Sequence, residues 1–200
     1  MRDQGLKGQD IVVLARLWVG GVHGNPDPIK ITKTLSSFEK KIWRESEPPP
    51  FLVGISQKAL AEELGLSVAE MSLSAGRIQA SGLVNADWSV RSAPFLHLVE
   101  WGVPYFLPPV QGPEALGVPT AWGHDVVASH LRGSAARAPV WPSDVGTVMG
   151  PSLSPLFRTV PLMAREHLRL HAALAAIDLL RLHGAREKEV ALAVLAKLLA

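Results

Sequence analysis

Between residues 56 and 84 two short helical patterns meet at a single glycine. Ser56 stands where it can cap the first, and Leu60, Ala61 and Leu64 share its inner face. Gly65 ends that helix in a tight turn and Leu66 tucks back. Ser67 opens the second. In Ser67-x-x-Glu70 the serine oxygen meets an orphan backbone N–H while the glutamate reaches back to the serine's own, which is a capping box. Met71, Ala75 and Ile78 form the inner face of this second helix, and Ser81-Gly82-Leu83-Val84 closes it. Two short helices joined through a glycine turn make a helix-turn-helix.

The flanking chain predicts further helices. Ile11, Leu14, Ala15 and Trp18 line one face over Lys7–Val19, and Gly20-Gly21 ends that run. Ile31, Leu35, Phe38 and Ile42 keep helical spacing over Ile29–Glu47, and Pro48-Pro49-Pro50 reads as a stiff linker. Asn85–Ser92 reads as a turn. Phe95, Leu98 and Trp101 predict a short helix over Pro94–Gly102 with Trp101 in the core, and Tyr105-Phe106-Leu107 reads as a strand. Val110–Ser154 is rich in Gly, Pro and Ser with little periodicity, so it reads as an irregular loop. Thr147-Val148-Met149 is a possible second strand, which would make the intervening segment an enlarged wing carrying Arg132 and Arg137. Ala164–His183 is a helix apolar nearly all round, expected to be buried in the chain's own core or in a dimer interface. Arg186–Leu199 follows it with Val190, Val194, Leu195 and Leu198 on one side. The expected organisation is 1–107, an irregular 108–160 and a helical 161–200.

Composition removes several function classes. The 200 residues contain no cysteine, which excludes disulfides, thiolate metal sites and cysteine nucleophiles. At 48% hydrophobic and 19% charged residues the chain is globular. The stretch Ile11–Val22 contains Arg16 and is too short to span a bilayer, so the expectation is a soluble, cytoplasmic protein without a membrane partner. The net charge of +2 does not announce a strongly basic nucleic-acid binder. Residues 51–110 carry Lys58, Arg77 and Arg91 against Glu62, Glu63, Glu70, Asp87 and Glu100, so the helix-turn-helix region is net acidic.

The run Ser56-Gln57-Lys58-Ala59-Leu60-Ala61-Glu62-Glu63-Leu64-Gly65-Leu66-Ser67, continued to Gly82-Leu83-Val84, resembles the core of bacterial winged helix-turn-helix regulators, including MarR-like ones. The part from Val140-Trp141-Pro142 through the Leu/Ala helix is similar to uncharacterised bacterial proteins that carry such a module. The resemblance implies a mainly α fold, a winged helix-turn-helix domain with a C-terminal helical extension. It also implies a transcriptional regulator that binds double-stranded DNA, here expected as a homodimer without a cofactor. The second helix, Ser67–Ser81, would then enter the major groove. Ser67, Ser72, Arg77 and Gln79 are the expected contacts, with Lys58, Lys40 and Lys41 at phosphates. The basic run Lys30, Lys33, Lys40, Lys41 and Arg44 reads first as a solvated helix face, with phosphate contacts the alternative if DNA is bound.

The outward positions Val68, Ala69, Ser72, Leu73 and Gly76 depart from a base-reading pattern, because base readout usually draws on Arg, Lys, Asn or Gln. The alternative function is therefore a protein-interaction module, antitoxin-like or an operon accessory, on a scaffold that has lost its DNA-reading face. No catalytic constellation is complete, so no enzyme and no metal site is expected. His167 and His171 have a zinc-compatible spacing without a third ligand, and His124-Asp125 and His130 lack a nucleophile elbow. Trp18 reads as core, while Trp43, Trp88, Trp122 and Trp141 read as core or as partner anchors.

Overall fold

The computed structural model describes residues 5–20, 57–131, 137–182 and 184–199. The expected helix over 29–47, the proline linker, the Ser56 cap, Lys40, Lys41, Trp43 and Arg132 lie outside the described residues.

The described chain is mainly helical with one small sheet. Helix α1 (Gly8–Val19) is buried along almost its whole length, with Arg16 the one partly exposed residue from Asp10 onward. It is therefore a central helix rather than one with a single apolar face. Helices α2 (Gln57–Glu63) and α3 (Val68–Ser81) form the helix-turn-helix on it. Gly65 sits between them at φ +63°, a left-handed conformation that costs glycine nothing. The capping box is formed as expected. Glu70 N–H donates to Ser67 Oγ at 3.1 Å and Ser67 N–H donates to Glu70 Oε2 at 2.8 Å.

After α3 the chain makes a minimal hairpin. Val84 and Val90 form an antiparallel bridge around the turn that contains Asn85, Asp87 and Trp88.

Next come α4 (Ser92–His97), a π turn (Leu98–Gly102) and α5 (Val103–Phe106). Tyr105-Phe106-Leu107, expected as a strand, is helical or just past a helix. Pro104 lies in the first turn of α5. Trp101, expected in the core, is 59% exposed. The buried positions fall at Phe95, Val99 and Val103, a four-residue spacing that leaves Trp101 off the buried face.

The expected irregular loop contains a sheet. Strand β1 (Gln111–Pro119) pairs antiparallel with β3 (Val148–Leu153) along most of its length. Its last residues pair antiparallel with β2 (Val140–Pro142), which touches β3 at Val140↔Ser152. Val148 and Met149 thus pair with Gly117 and Leu116, not with Tyr105–Leu107. The strands come very close where Gly117 and Gly146 meet, and side chains there would collide with backbone. Helix α6 (Asp125–Ala128) lies between β1 and β2, and α7 (Val160–Met163) follows β3.

Helix α8 (Leu168–Arg181) is buried at every residue from Ala172 to Arg181. It packs on α1, on α9 (Ala185–Leu199) and on the turn after β1. Its apolar surface is consumed in the chain's own core. A single apolar cluster includes Ile11, Leu14, Leu64, Ile78, Leu174, Ile177 and Leu195, so the helix-turn-helix and the C-terminal helices share one core.

Residues 156–159 wedge the C-terminal half beneath the helix-turn-helix. Gly8 lies against the Leu156 carbonyl so closely that any side chain would strike it. Thr159 Oγ1 donates to the Leu64 carbonyl at 2.7 Å, immediately before Gly65.

Candidate nucleic-acid interface

Helix α3 buries Met71, Ser74, Ala75 and Ile78 against the core. Its other side is open to solvent through Val68, Ala69, Ser72, Leu73, Gly76, Gln79, Ala80 and Ser81, and every one of these is uncharged. Val68 and Leu73 are 59% and 65% exposed, and a Cβ on Gly76 would meet nothing within 4 Å.

Of the expected contact residues, Ser67, Ser72 and Gln79 lie on the exposed side, and Ser67 is engaged as the helix cap. Lys58 is exposed on α2, with Nζ 4.0 Å from Glu62. Arg77 is placed differently. It points toward α1 and forms a two-pronged pair with the fully buried Asp10, which also accepts from Ser74 Oγ. Arg77 is largely buried, so its main role in this geometry is to fasten α3 to α1.

Two cations not among the expected contacts stand at the ends of α3. Arg158 donates to Glu70 in the first turn at 2.9 Å and stays mostly exposed. Arg91 is exposed and donates to the carbonyl of Gly82, the C-cap residue, at 2.8 Å. From Glu70 to Gly82 the helix runs roughly 18 Å. An uncharged face is thus bracketed by a guanidinium at each end. Arg91 was visible in the sequence within the Asn85–Ser92 turn, but Arg158 is 88 residues from Glu70 and had no local signal. Glu70 is held down to about 2 by the Ser67 backbone N–H, the Ser67 hydroxyl and Arg158.

The histidines serve elsewhere. His124 caps α6, its Nδ1 accepting from Val126 N–H at 3.2 Å. Its ring meets His171 edge-on at 4.3 Å, and His171 Nε2 bonds the Pro119 carbonyl at 2.7 Å. Burial pushes both below the ordinary histidine value, for His124 assisted by its neighbour. His167 precedes the first turn of α8 and lies 3.4 Å from Glu63, so it does not share a helical face with His171. His130 is bound to the Val126 carbonyl, to Ser129 and to Lys197. Among the described residues no group of three or more His, Asp or Glu is arranged to hold a metal ion.

Beside the two histidines lies a buried polar knot. Asp178 accepts from Trp141 Nε1 at 2.6 Å, Thr120 Oγ1 at 2.8 Å and Arg181 Nη1 at 2.5 Å. Arg181 also donates to the carbonyls of Leu107 and Ser154. These bonds tie α8 to the end of β1, to β2 and to two loops. Trp141 is therefore a core residue with its one polar atom satisfied. Trp18 is fully buried, as expected, and its Nε1 donates to Ser92 Oγ at 3.3 Å. Trp88 and Trp122 are half-buried, and Trp122 donates to the Arg137 carbonyl. Arg137 itself pairs with Glu114.

No family model, no curated protein and no solved structure matches this chain. Among the described residues no helix is long and apolar enough to cross a membrane.

Proposed function

We propose that this chain is a DNA-binding regulator that lays α3 in the major groove, on a winged helix-turn-helix-like frame. The observation that supports it most is the uncharged, solvent-open face of α3 set between Arg158 and Arg91. Neutral groups then face base edges in a groove about 12 Å wide, while the end cations reach phosphates on either side. Lys58 on the preceding helix supplies a third phosphate contact, and the Val84–Val90 hairpin takes the place of a wing. A cytoplasmic location goes with this reading. The homodimer expected from the Leu/Ala helices needs a face other than α8, because α8 is spent inside the chain; light scattering measures it.

The test is binding to duplexes from the chain's own upstream region, followed by anisotropy as salt is raised. Lys58→Ala, Arg91→Ala and Arg158→Ala should each lower the salt slope by about one. Absence of binding to any duplex at low salt overturns the proposal.

A second reading is favoured by the exposure of Val68 and Leu73 on a helix that lacks an outward cation. In it α3 is a docking surface for a protein partner. Leu73→Asp separates the two, since it breaks such a complex while leaving the core intact.

A further inference from the structure

If α3 enters DNA as proposed above, its exposed side chains decide which base pairs it prefers. We infer that α3 selects A·T pairs, using Val68, Ala69 and Leu73 to cover thymine methyl groups in the major groove.

Each base edge asks for a particular partner. Guanine asks for arginine or lysine, and cytosine's amine asks for a carboxylate. Neither is on offer. The one arginine of α3 is committed to Asp10, and the carboxylate of Glu70 is held by the Ser67 N–H and Arg158. The first two turns expose three hydrocarbon side chains and the Ser72 hydroxyl. The feature of the major groove that rewards hydrocarbon is the thymine C5 methyl. Gln79, exposed near the other end, carries the amide that suits adenine. Gly76 lies between Leu73 and Gln79 with no neighbour within 4 Å of a Cβ position, so the backbone there can approach the bases closely. Arg91, bonded to a neutral carbonyl, offers its charge to a phosphate, and the exposed Arg158 and Lys58 reach phosphates by exchanging from Glu70 and Glu62.

The experiment compares three duplexes of equal length at low salt: alternating dA-dT, alternating dA-dU and alternating dG-dC. Uracil differs from thymine by the methyl alone. The expected result is tightest binding to dA-dT, with dA-dU weaker by about fourfold for each methyl covered. Leu73→Ala should shrink that thymine preference, read as the ratio of dA-dT to dA-dU affinity; Leu73 is exposed, and the thermal midpoint checks that the fold is intact. Equal affinity for dA-dT and dA-dU overturns the inference, as does dG-dC binding as tightly as dA-dT. A thymine preference that is undiminished in Leu73→Ala combined with Val68→Ala also overturns it, because the methyl then acts through duplex shape. Failure of all three duplexes to bind is a different result, and it removes the DNA reading itself.

Discussion

Arg77 on α3 reaches Asp10 on α1 with both prongs of its guanidinium, Nε to Oδ2 and Nη2 to Oδ1, each at 2.7 Å. Asp10 has no exposed surface, and Ser74 and the Lys7 N–H complete its hydrogen bonding. The helix that carries the open face is thus aimed by an ion pair on its opposite side. Two-pronged geometry fixes rotation about the helix axis as well as distance.

Arg77→Ala should lower stability by about 3–5 kcal/mol, because it leaves a buried carboxylate without its counterion. Asp10→Asn combined with Arg77→Met should recover much of the loss. Urea midpoints of the single and double variants measure this. A loss below about 1 kcal/mol for Arg77→Ala would show that Arg77 does not fasten the helix.

The capping box sets the start of α3, and Ser67→Ala should cost about 1 kcal/mol. Its glutamate gives a pH signature. The Glu70 carboxyl is pulled down to about 2 in the folded chain. Its contribution is therefore complete above the ordinary value of 4.5 and fades as pH falls from there toward about 2. Glu70→Gln should flatten the stability curve in that acid window and nowhere else, as read by thermal melts from pH 2 to 7.

His124 and His171 act at higher pH. Both are buried neutral and both lie below the ordinary histidine value of 6.5. The unfolded chain takes up their protons first, so their contribution is present above 6.5 and lost as pH falls below it. His124→Asn keeps an acceptor for the Val126 N–H and removes one titrating ring. Its urea midpoint should vary less between pH 8 and pH 5 than that of the unsubstituted chain.

The Asp178 knot should behave as a unit. Burial pushes its carboxyl up, opposed by Arg181, Thr120 and Trp141. Asp178→Ala strands a buried guanidinium and should cost about 3–5 kcal/mol. Trp141→Phe removes one hydrogen bond to a charged group, about 1.5–3 kcal/mol in the intact chain. In an Asp178→Ala background the same change should cost clearly less, and a double-mutant cycle gives the coupling. Additive losses would mean that the two residues act independently.

The site was legible in part. Ser67 and Glu70 are three residues apart and announce a helix start wherever they occur before an apolar run. The exposed positions of α3 follow from helical spacing once that start is known. Arg77 looked like a reading residue because spacing alone cannot say whether a long side chain turns outward or back to a partner 67 residues away. Arg158 was invisible for the same reason. Trp101 failed differently: repeated three-residue spacing drifts off one helical face, and the buried residues Phe95, Val99 and Val103 are four apart.

Local chemistry in the sequence by itself determined the helix-turn-helix, the ends of α1 and α3 and the helical character of the C-terminus. Capping, glycine turns and apolar periodicity act within a few residues, so they are written in order along the chain. Only the tertiary structure decided that Gln111–Pro119 is a strand, that α8 is spent inside the chain and that the cation of α3 faces inward. A strand rich in glycine and proline has little propensity of its own and exists because β3 and β2 supply its hydrogen bonds. Asp10 with Arg77, and Asp178 with Trp141 and Thr120, are contacts between distant residues, and only the packing of the core brings them within reach.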